Sequence, residues 1–162
     1  MKIKNLVTMA LVAVAIVFGV CSCGSDDDDE PEAALATQVM GAYTGEEILS
    51  VMGDDFDSTS TYEFVKNSDN SVDMTIPATT GGSMNIPALP VKNITLTKSE
   101  KAITGRLASF AGTVVNADGS EKSYTVTDLV AIFNDRAVVV TFSLKYGNMP
   151  FAFTGKFTGT KK

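Results

Sequence analysis

The chain has 162 residues, of which 44% are apolar, and this is the size and composition of one folded domain. It contains no histidine, which excludes Ser-His-Asp and Cys-His catalysis and histidine-ligated zinc or copper sites. The net charge is −6, but six acids lie within residues 26–32, and the remainder of the chain after them has 11 basic and 13 acidic residues. Nucleic-acid binding is therefore disfavoured.

The N-terminal segment is typical of secretion. Two lysines precede an uncharged apolar stretch, residues 6–20, which is too short for a membrane span of about 20 residues. Its end, Val20-Cys21-Ser22-Cys23, resembles the lipobox of bacterial lipoproteins. Residues 1–22 are thus predicted to be a signal peptide, and Cys23 the lipidated residue that anchors the chain to a membrane. The alternative is an ordinary cleaved signal or an uncleaved anchor.

Residues 23–38 are predicted to be a flexible tether. Four aspartates and a glutamate follow Cys23 almost at once, and such a run is too charged to fold by itself. It also resembles the acidic export signal of surface lipoproteins of Bacteroidetes, which would place the protein on the outer face of the outer membrane. A simple spacer is the alternative.

From residue 39 to residue 162 the pattern predicts an all-β domain, since about eight alternating runs are separated by turn residues. The runs cover residues 42–52, 59–66, 72–76, 92–98, 102–116, 124–133, 137–144 and 151–158. Asn116-Ala117-Asp118-Gly119 predicts a hairpin turn, a bend is expected near Asp128, and residues 78–90 are predicted to be a long loop. Useful helices are not expected.

Four segments carry a resemblance to a known family. They are Gly41-Ala42-Tyr43-Thr44-Gly45, Ile86-Pro87-Ala88-Leu89-Pro90, Lys145-Tyr146-Gly147-Asn148-Met149-Pro150 and Phe157-Thr158-Gly159-Thr160-Lys161. With them, residues 39–162 resemble the calycin-like, lipocalin-related β-barrel lipoproteins of Bacteroidetes. The resemblance implies a single eight-stranded antiparallel up-and-down barrel, filled by side chains or holding one small ligand. The chain departs from true lipocalins at Tyr43, where they usually carry tryptophan.

Two groups of apolar residues are candidate binding sites. Aromatic residues of the barrel interior would line a cavity for a hydrophobic ligand, or would simply fill the core. They are Tyr43, Phe64, Phe142, Phe151, Phe153 and Phe157. In the long loop, Met84, Ile86 and Leu89 form a candidate patch, which would be a lid over the barrel mouth, a contact for a partner, or packing across the barrel end.

Acidic residues give weaker signals. Asp54, Asp55 and Asp57 would suit calcium, but the segment lacks the glycine and final glutamate of an EF-hand. Glu46 and Glu47 are neighbours in a strand and point to opposite faces, so they cannot form a glycosidase pair with each other. Another carboxylate, such as Glu63, would have to face one of them. No metal or cofactor is predicted.

The sequence as a whole predicts a non-enzymatic lipoprotein of the cell envelope, attached to the membrane through Cys23. Its barrel would bind a small apolar or amphipathic ligand or a protein partner, and no nucleic acid. The alternative is a packed barrel that serves as a structural or accessory subunit of an envelope complex. An enzyme using carboxylates alone ranks third.

Overall fold

The computed structural model describes residues 33–81 and 84–162, and of Gly81 and Met84 it describes the backbone only. The predicted signal peptide, Cys23 and the acidic run lie outside the described residues. Within the described ranges, no helix has the length and apolar character that crossing a bilayer requires.

The described residues form one short helix and ten strands, and eight of the strands close into a barrel. The elements are α1 (Leu35–Val39), β1 (Gly41–Val51), β2 (Asp54–Ser68), β3 (Ser71–Ile76), β4 (Thr79–Gly81), β5 (Met84–Ile86), β6 (Leu89–Lys98), β7 (Ile103–Val115), β8 (Glu121–Asn134), β9 (Ala137–Tyr146) and β10 (Phe153–Lys161). The barrel order is β1-β10-β9-β8-β7-β6-β3-β2, while β4 and β5 form a separate two-stranded sheet. The predicted eight-stranded antiparallel up-and-down barrel is confirmed.

Local turn chemistry places several connections where the sequence predicted them. In the turn between β7 and β8, the Asn116 N–H donates to Ser120 O at 2.8 Å, and Gly119 has a φ of 78°. The bend near Asp128 is confirmed, because this residue has a φ of 54° and the ladder to β9 shifts register between Thr127 and Val130. Aspartate tolerates this left-handed conformation better than most residues do.

Strand ends are less well predicted. β2 begins at Asp54 instead of residue 59, since the residues from Asp54 onward pair with β1. A two-residue turn joins the two strands, with Val51 opposite Asp54. β6 begins at Leu89 and not at residue 92, and the predicted loop contains β4 and β5. β10 begins at Phe153 and not at residue 151. At the starts of β2 and β6, pairing with a neighbouring strand overrides the weak β propensity of aspartate and proline.

The predicted tether extends too far, because its last residues form α1. Ala36 and Val39 of this helix are buried in the core, and the Ala36 N–H donates to Asp69 O at 3.0 Å. The Tyr43 hydroxyl donates to Val39 O at 2.9 Å. The helix therefore packs against the barrel at the end where β1 starts, and we call this the helix end.

The barrel interior is filled by aromatic rings that pack against each other and against glycines. Phe64 on β2 and Phe133 on β8, from opposite sides of the barrel order, have ring centroids 5.0 Å apart, and Tyr43 lies 5.6 Å from Phe64. A Cβ at Gly155 would lie 2.2 Å from the Phe142 ring. Large side chains thus occupy the space that glycines leave, which is how a barrel of this width fills its centre.

We predict that Tyr43→Phe lowers the free energy of unfolding by about 1–2 kcal/mol, because the buried Val39 carbonyl loses its hydroxyl donor. Amide hydrogen exchange should also become faster in α1. Chemical denaturation monitored by circular dichroism measures the first effect. The control is Thr154→Val, an exposed position in β10 that should change stability by less than about 0.5 kcal/mol. Equal stability of Tyr43→Phe and the parent chain would contradict this role for the hydroxyl.

Candidate functional site

The structure separates the predicted interior residues into two groups. Five of them are buried in the core: Tyr43, Phe64, Phe142, Phe153 and Phe157. Phe151 lies outside the barrel, 50% exposed in the turn before β10, so its predicted interior position is wrong. Phe151 precedes β10, which starts two residues later than the alternation suggested. Whether the five buried residues contact a ligand stays a prediction.

The predicted loop patch is not exposed at Ile86 or Leu89. Ile86 and Leu89 are both buried in the core, and the side chain of Met84 lies outside the description. Ile86 ends β5, and Leu89 begins β6 opposite Ile76. The loop therefore packs across the barrel end with its apolar residues inward, and the interpretation of Ile86 and Leu89 as a partner contact is wrong.

A hairpin formed by β1 and β2 extends well past its neighbour β3, and we call its extension, residues 47–62, the arm. β3 pairs with β2 only from Glu63 onward, whereas β1 pairs with β2 as far as Asp54. Inward-pointing residues near the tip, such as Phe56 and Ser58, are consequently exposed. In this part β2 forms the free edge of the barrel wall.

The inner face of the arm carries a buried carboxylate. Glu47 on β1 is 1% exposed and is the buried charged residue of the described core. Its Oε1 accepts the Tyr62 hydroxyl at 2.5 Å, and its Oε2 accepts the hydroxyls of Ser60 at 2.6 Å and Ser58 at 3.2 Å. Three hydroxyl donors from one neighbouring strand thus replace the water that a buried carboxylate loses.

Aromatic packing fixes the position of Tyr62 over this carboxylate. Its ring stacks on Phe157 of β10, with centroids 4.2 Å apart and planes inclined by 23°. Burial raises the pKa of Tyr62 well above the usual value of 10, and the negative charge and hydrogen bond of Glu47 raise it further. Tyr62 is therefore a permanent hydrogen-bond donor at any physiological pH.

The tip of the arm exposes apolar side chains in an unusual conformation. Met52 and Gly53 connect β1 to β2 with φ angles of 55° and 94°, the pattern of a tight hairpin turn that prefers asparagine or glycine at both positions. Met52 is nevertheless 75% exposed, and Phe56 is 41% exposed. Phe151 lies at the same end of the barrel, since β1 pairs with β10 up to Ser50 opposite Thr154.

Acidic residues flank this tip, where the sequence made calcium only a weak candidate and predicted no metal. Asp54, Asp55 and Asp57 are all exposed and lie in strand β2, where successive side chains point to opposite faces. Among residues 33–81 and 84–162, no group of three metal-ligating side chains comes together. Glu63 is exposed on the face of Glu46 and not of Glu47, so it cannot pair with the buried carboxylate.

A second concave region lies at the helix end, away from the arm. This cleft has a volume of about 460 Å³ and is lined largely by the turn between β6 and β7, with Val39 and Phe133 at its base. Charged and polar turn residues form most of its wall, and none of the residues bonded to Glu47 lines it. The arm is the stronger candidate because it combines a buried charge, exposed apolar residues and a free strand edge.

The sequence contained a signal for this site that alternation alone could reveal. Tyr43, Glu47 and Leu49 share one face of β1, so a glutamate stands on an otherwise apolar side. Ser58, Ser60 and Tyr62 share the facing side of β2. What the sequence could not show is that the ladder sets Glu47 opposite Ser58, because β2 was expected to begin after that residue.

Comparisons with known proteins bear on the fold. The family model for the calycin-like beta-barrel domain matches residues 39–160, and a search of the curated proteins finds no match. Among solved structures, the chain is similar to a protein of Bacteroides fragilis described as a "putative outer membrane protein", with a TM-score of 0.62 and 20% identity. The similarity covers 80% of this chain and 53% of that chain, so this chain spans about half its length. At this identity the likeness shows the fold alone.

We predict that Glu47→Gln lowers the pKa of Tyr62 but leaves it above 10, because the effect of burial, the largest cause, remains. Because folding raises the pKa of Tyr62, its protonated hydroxyl contributes to stability. This contribution is complete below the pKa of tyrosine in the unfolded chain and is lost as the pH rises through the pKa of Tyr62 in the folded protein. Stability of the parent chain should therefore fall above about pH 10, and the total loss should be smaller in Glu47→Gln. Nuclear magnetic resonance of labelled tyrosine measures the titration. An unchanged Tyr62 pKa in Glu47→Gln would contradict the contact.

Proposed function

Since the chain belongs to the family of calycin-like β-barrel domains, we propose that it is a non-enzymatic binding module of the cell envelope that binds another protein through the arm. The observation that carries this proposal is the exposed Met52 at the tip, held at a φ of 55°. A side chain that is unfavourable there for folding, and apolar in water, is best explained by a contact it makes with a partner.

The filled interior favours a protein partner over a small apolar ligand. Rings from opposite walls meet inside the barrel, and aromatic rings fill the space beside the glycines of β10. A ligand in the interior would have to displace these rings, at a cost in packing energy. An exposed tip requires no such rearrangement.

A role without catalysis is supported by the surroundings of Glu47. Its described hydrogen bonds come from hydroxyl groups of Tyr62, Ser60 and Ser58, and no described ion pair involves it. Glycosidase chemistry needs a second carboxyl group at about 5–9.5 Å across a cleft, and Glu63 is on the other face. The arrangement suits recognition better than bond cleavage.

Attachment to the outer membrane, with the barrel facing the cell exterior, is supported by three features. The sequence ending in Cys23 resembles a lipobox, the acidic run resembles a surface-export signal, and the similar Bacteroides fragilis protein is described as a "putative outer membrane protein".

We predict that Cys23→Ala releases the protein from the membrane fraction, since its anchor is the acyl chains on that thiol. Fractionation of the native host with immunoblotting measures this, and external protease on intact cells tests exposure of the parent protein. Cys21→Ala is the control and should leave the protein in the membrane. Retention of Cys23→Ala in the membrane fraction would contradict lipid anchoring.

We predict that Met52→Asn abolishes partner binding while raising the free energy of unfolding by about 0.5–1 kcal/mol, because asparagine suits the turn. In-cell cross-linking should show one discrete adduct for the parent chain and lose it in Met52→Asn. The control is Ile132→Thr, a 46% exposed position on β8, which should keep the adduct. An adduct that survives Met52→Asn, or the lack of one in the parent chain, would count against binding through the arm.

A further inference from the structure

We infer that the free edge of β2 pairs with an extended basic segment of the partner, and that Glu47 binds an inward-pointing lysine or arginine of that segment. The inference rests on the proposed function and specifies how the arm binds. Three features of the arm carry it: the unpaired backbone, the acidic surface and the buried carboxylate.

Among residues 33–81 and 84–162, no strand pairs with the second side of β2 between residues 54 and 62. Its ladder to β1 is continuous here, whereas the ladder to β3 starts at Glu63. Every described side-chain hydrogen bond of this stretch goes to β1 or stays within β2. An exposed edge of this length, about 3.3 Å per residue, is a template on which another strand can form main-chain hydrogen bonds.

The other incomplete ladder of the barrel differs from this edge. β6 and β7 pair only between Thr95 opposite Arg106 and Lys98 opposite Ile103. The start of β6 is not paired with β7, and this leaves a gap between the two strands. The Tyr124 hydroxyl of β8 donates to the carbonyl of Pro90 in β6 across the gap, and Pro90 itself has no N–H to donate. That gap is bridged from inside the protein, whereas no hydrogen bond of the described part of the chain bridges the edge of β2 in this way.

Charge selects the kind of strand that can add to this edge. Asp54, Asp55 and Asp57 are exposed along it, and the ion pair described in the chain, Lys66 with Asp69, involves none of them. A second copy of the chain pairing edge to edge would set carboxylates against carboxylates, which is unfavourable. A basic segment is attracted instead, because these aspartates favour positive charge along the edge.

Glu47 gives the inner face a specific acceptor. It lies opposite Ser58 in the ladder, and of its three hydrogen bonds the longest, 3.2 Å, comes from this exposed serine. A cationic side chain entering past Ser58 can take over that position on Oε2 while Tyr62 and Ser60 keep their bonds. Charge-assisted hydrogen bonds in a partly dry site are strong and directional, and exposed Phe56 on the same face would cover the aliphatic part of the cation.

The test uses the full mature chain and a synthetic peptide of about nine residues with alternating lysine and threonine. We expect binding, measured by calorimetry, together with slower amide hydrogen exchange at residues 54–62. The same peptide with N-methylated amides, which keeps its charge but cannot donate main-chain hydrogen bonds, should bind at least about tenfold more weakly. A glutamate and threonine peptide should not bind.

Two matched variants test the buried carboxylate. Glu47→Gln should weaken binding of the lysine peptide about tenfold, whereas Glu46→Gln, which removes the same charge from the outer face one residue away, should change it less than about twofold. Equal binding of the N-methylated peptide would overturn strand pairing, and equal effects of the two variants would overturn the role of Glu47. If no peptide binds while the Met52-dependent adduct persists, strand pairing fails and the proposed function stands.

Discussion

The width of the eight-stranded barrel is the constraint on which the rest of the structure depends. Eight strands enclose a space just wide enough for side chains, and here aromatic rings take it. The Phe142 ring occupies the space beside Gly155, and the Phe157 ring occupies the space beside Gly159. Phe64 contacts Phe133 from the opposite wall of the barrel. Glycine and phenylalanine are therefore complementary parts of one packing arrangement, and the binding surface we propose lies at the edge of the barrel instead of its centre.

Unequal strand lengths determine which edge becomes available. β2 spans Asp54–Ser68 while its neighbour β3 spans only Ser71–Ile76, so the first part of β2 extends beyond the end of β3 while β1 stays paired with β10 up to Ser50. Within this arm, three features are unfavourable for folding alone: a buried carboxylate, an exposed methionine at positive φ and an acidic open edge. Such local conflicts in an otherwise consistent fold are expected at functional positions.

Features of the fold that depend on local chemistry could be predicted from the sequence. The strand 72–76, the turn at Asn116 to Gly119 and the bend at Asp128 all follow from alternation or from residues that tolerate a positive φ. Features that depend on distant pairing were missed. The aspartates at the start of β2 are held in a strand by β1, α1 is held by the barrel, and Phe151 is left outside by the late start of β10.

The candidate site was harder to predict than the fold for the same reason. Its pieces were visible separately, as a glutamate on an apolar face and a row of hydroxyls on the next strand. Their meeting requires the register that sets Glu47 opposite Ser58, and register is fixed by the whole sheet. The sequence also left open whether the aromatic residues line a cavity or fill the core, because apolar inward residues alone cannot distinguish an empty centre from a packed one.

The most direct test of this account is native mass spectrometry of the mature protein isolated from its own envelope, compared with its denatured mass. A filled barrel predicts that the two masses agree once the covalent acyl chains are counted. A reproducible small-molecule mass that is lost on denaturation would show that the barrel holds a ligand, and would contradict the claim that this protein binds at its edge and not in its centre.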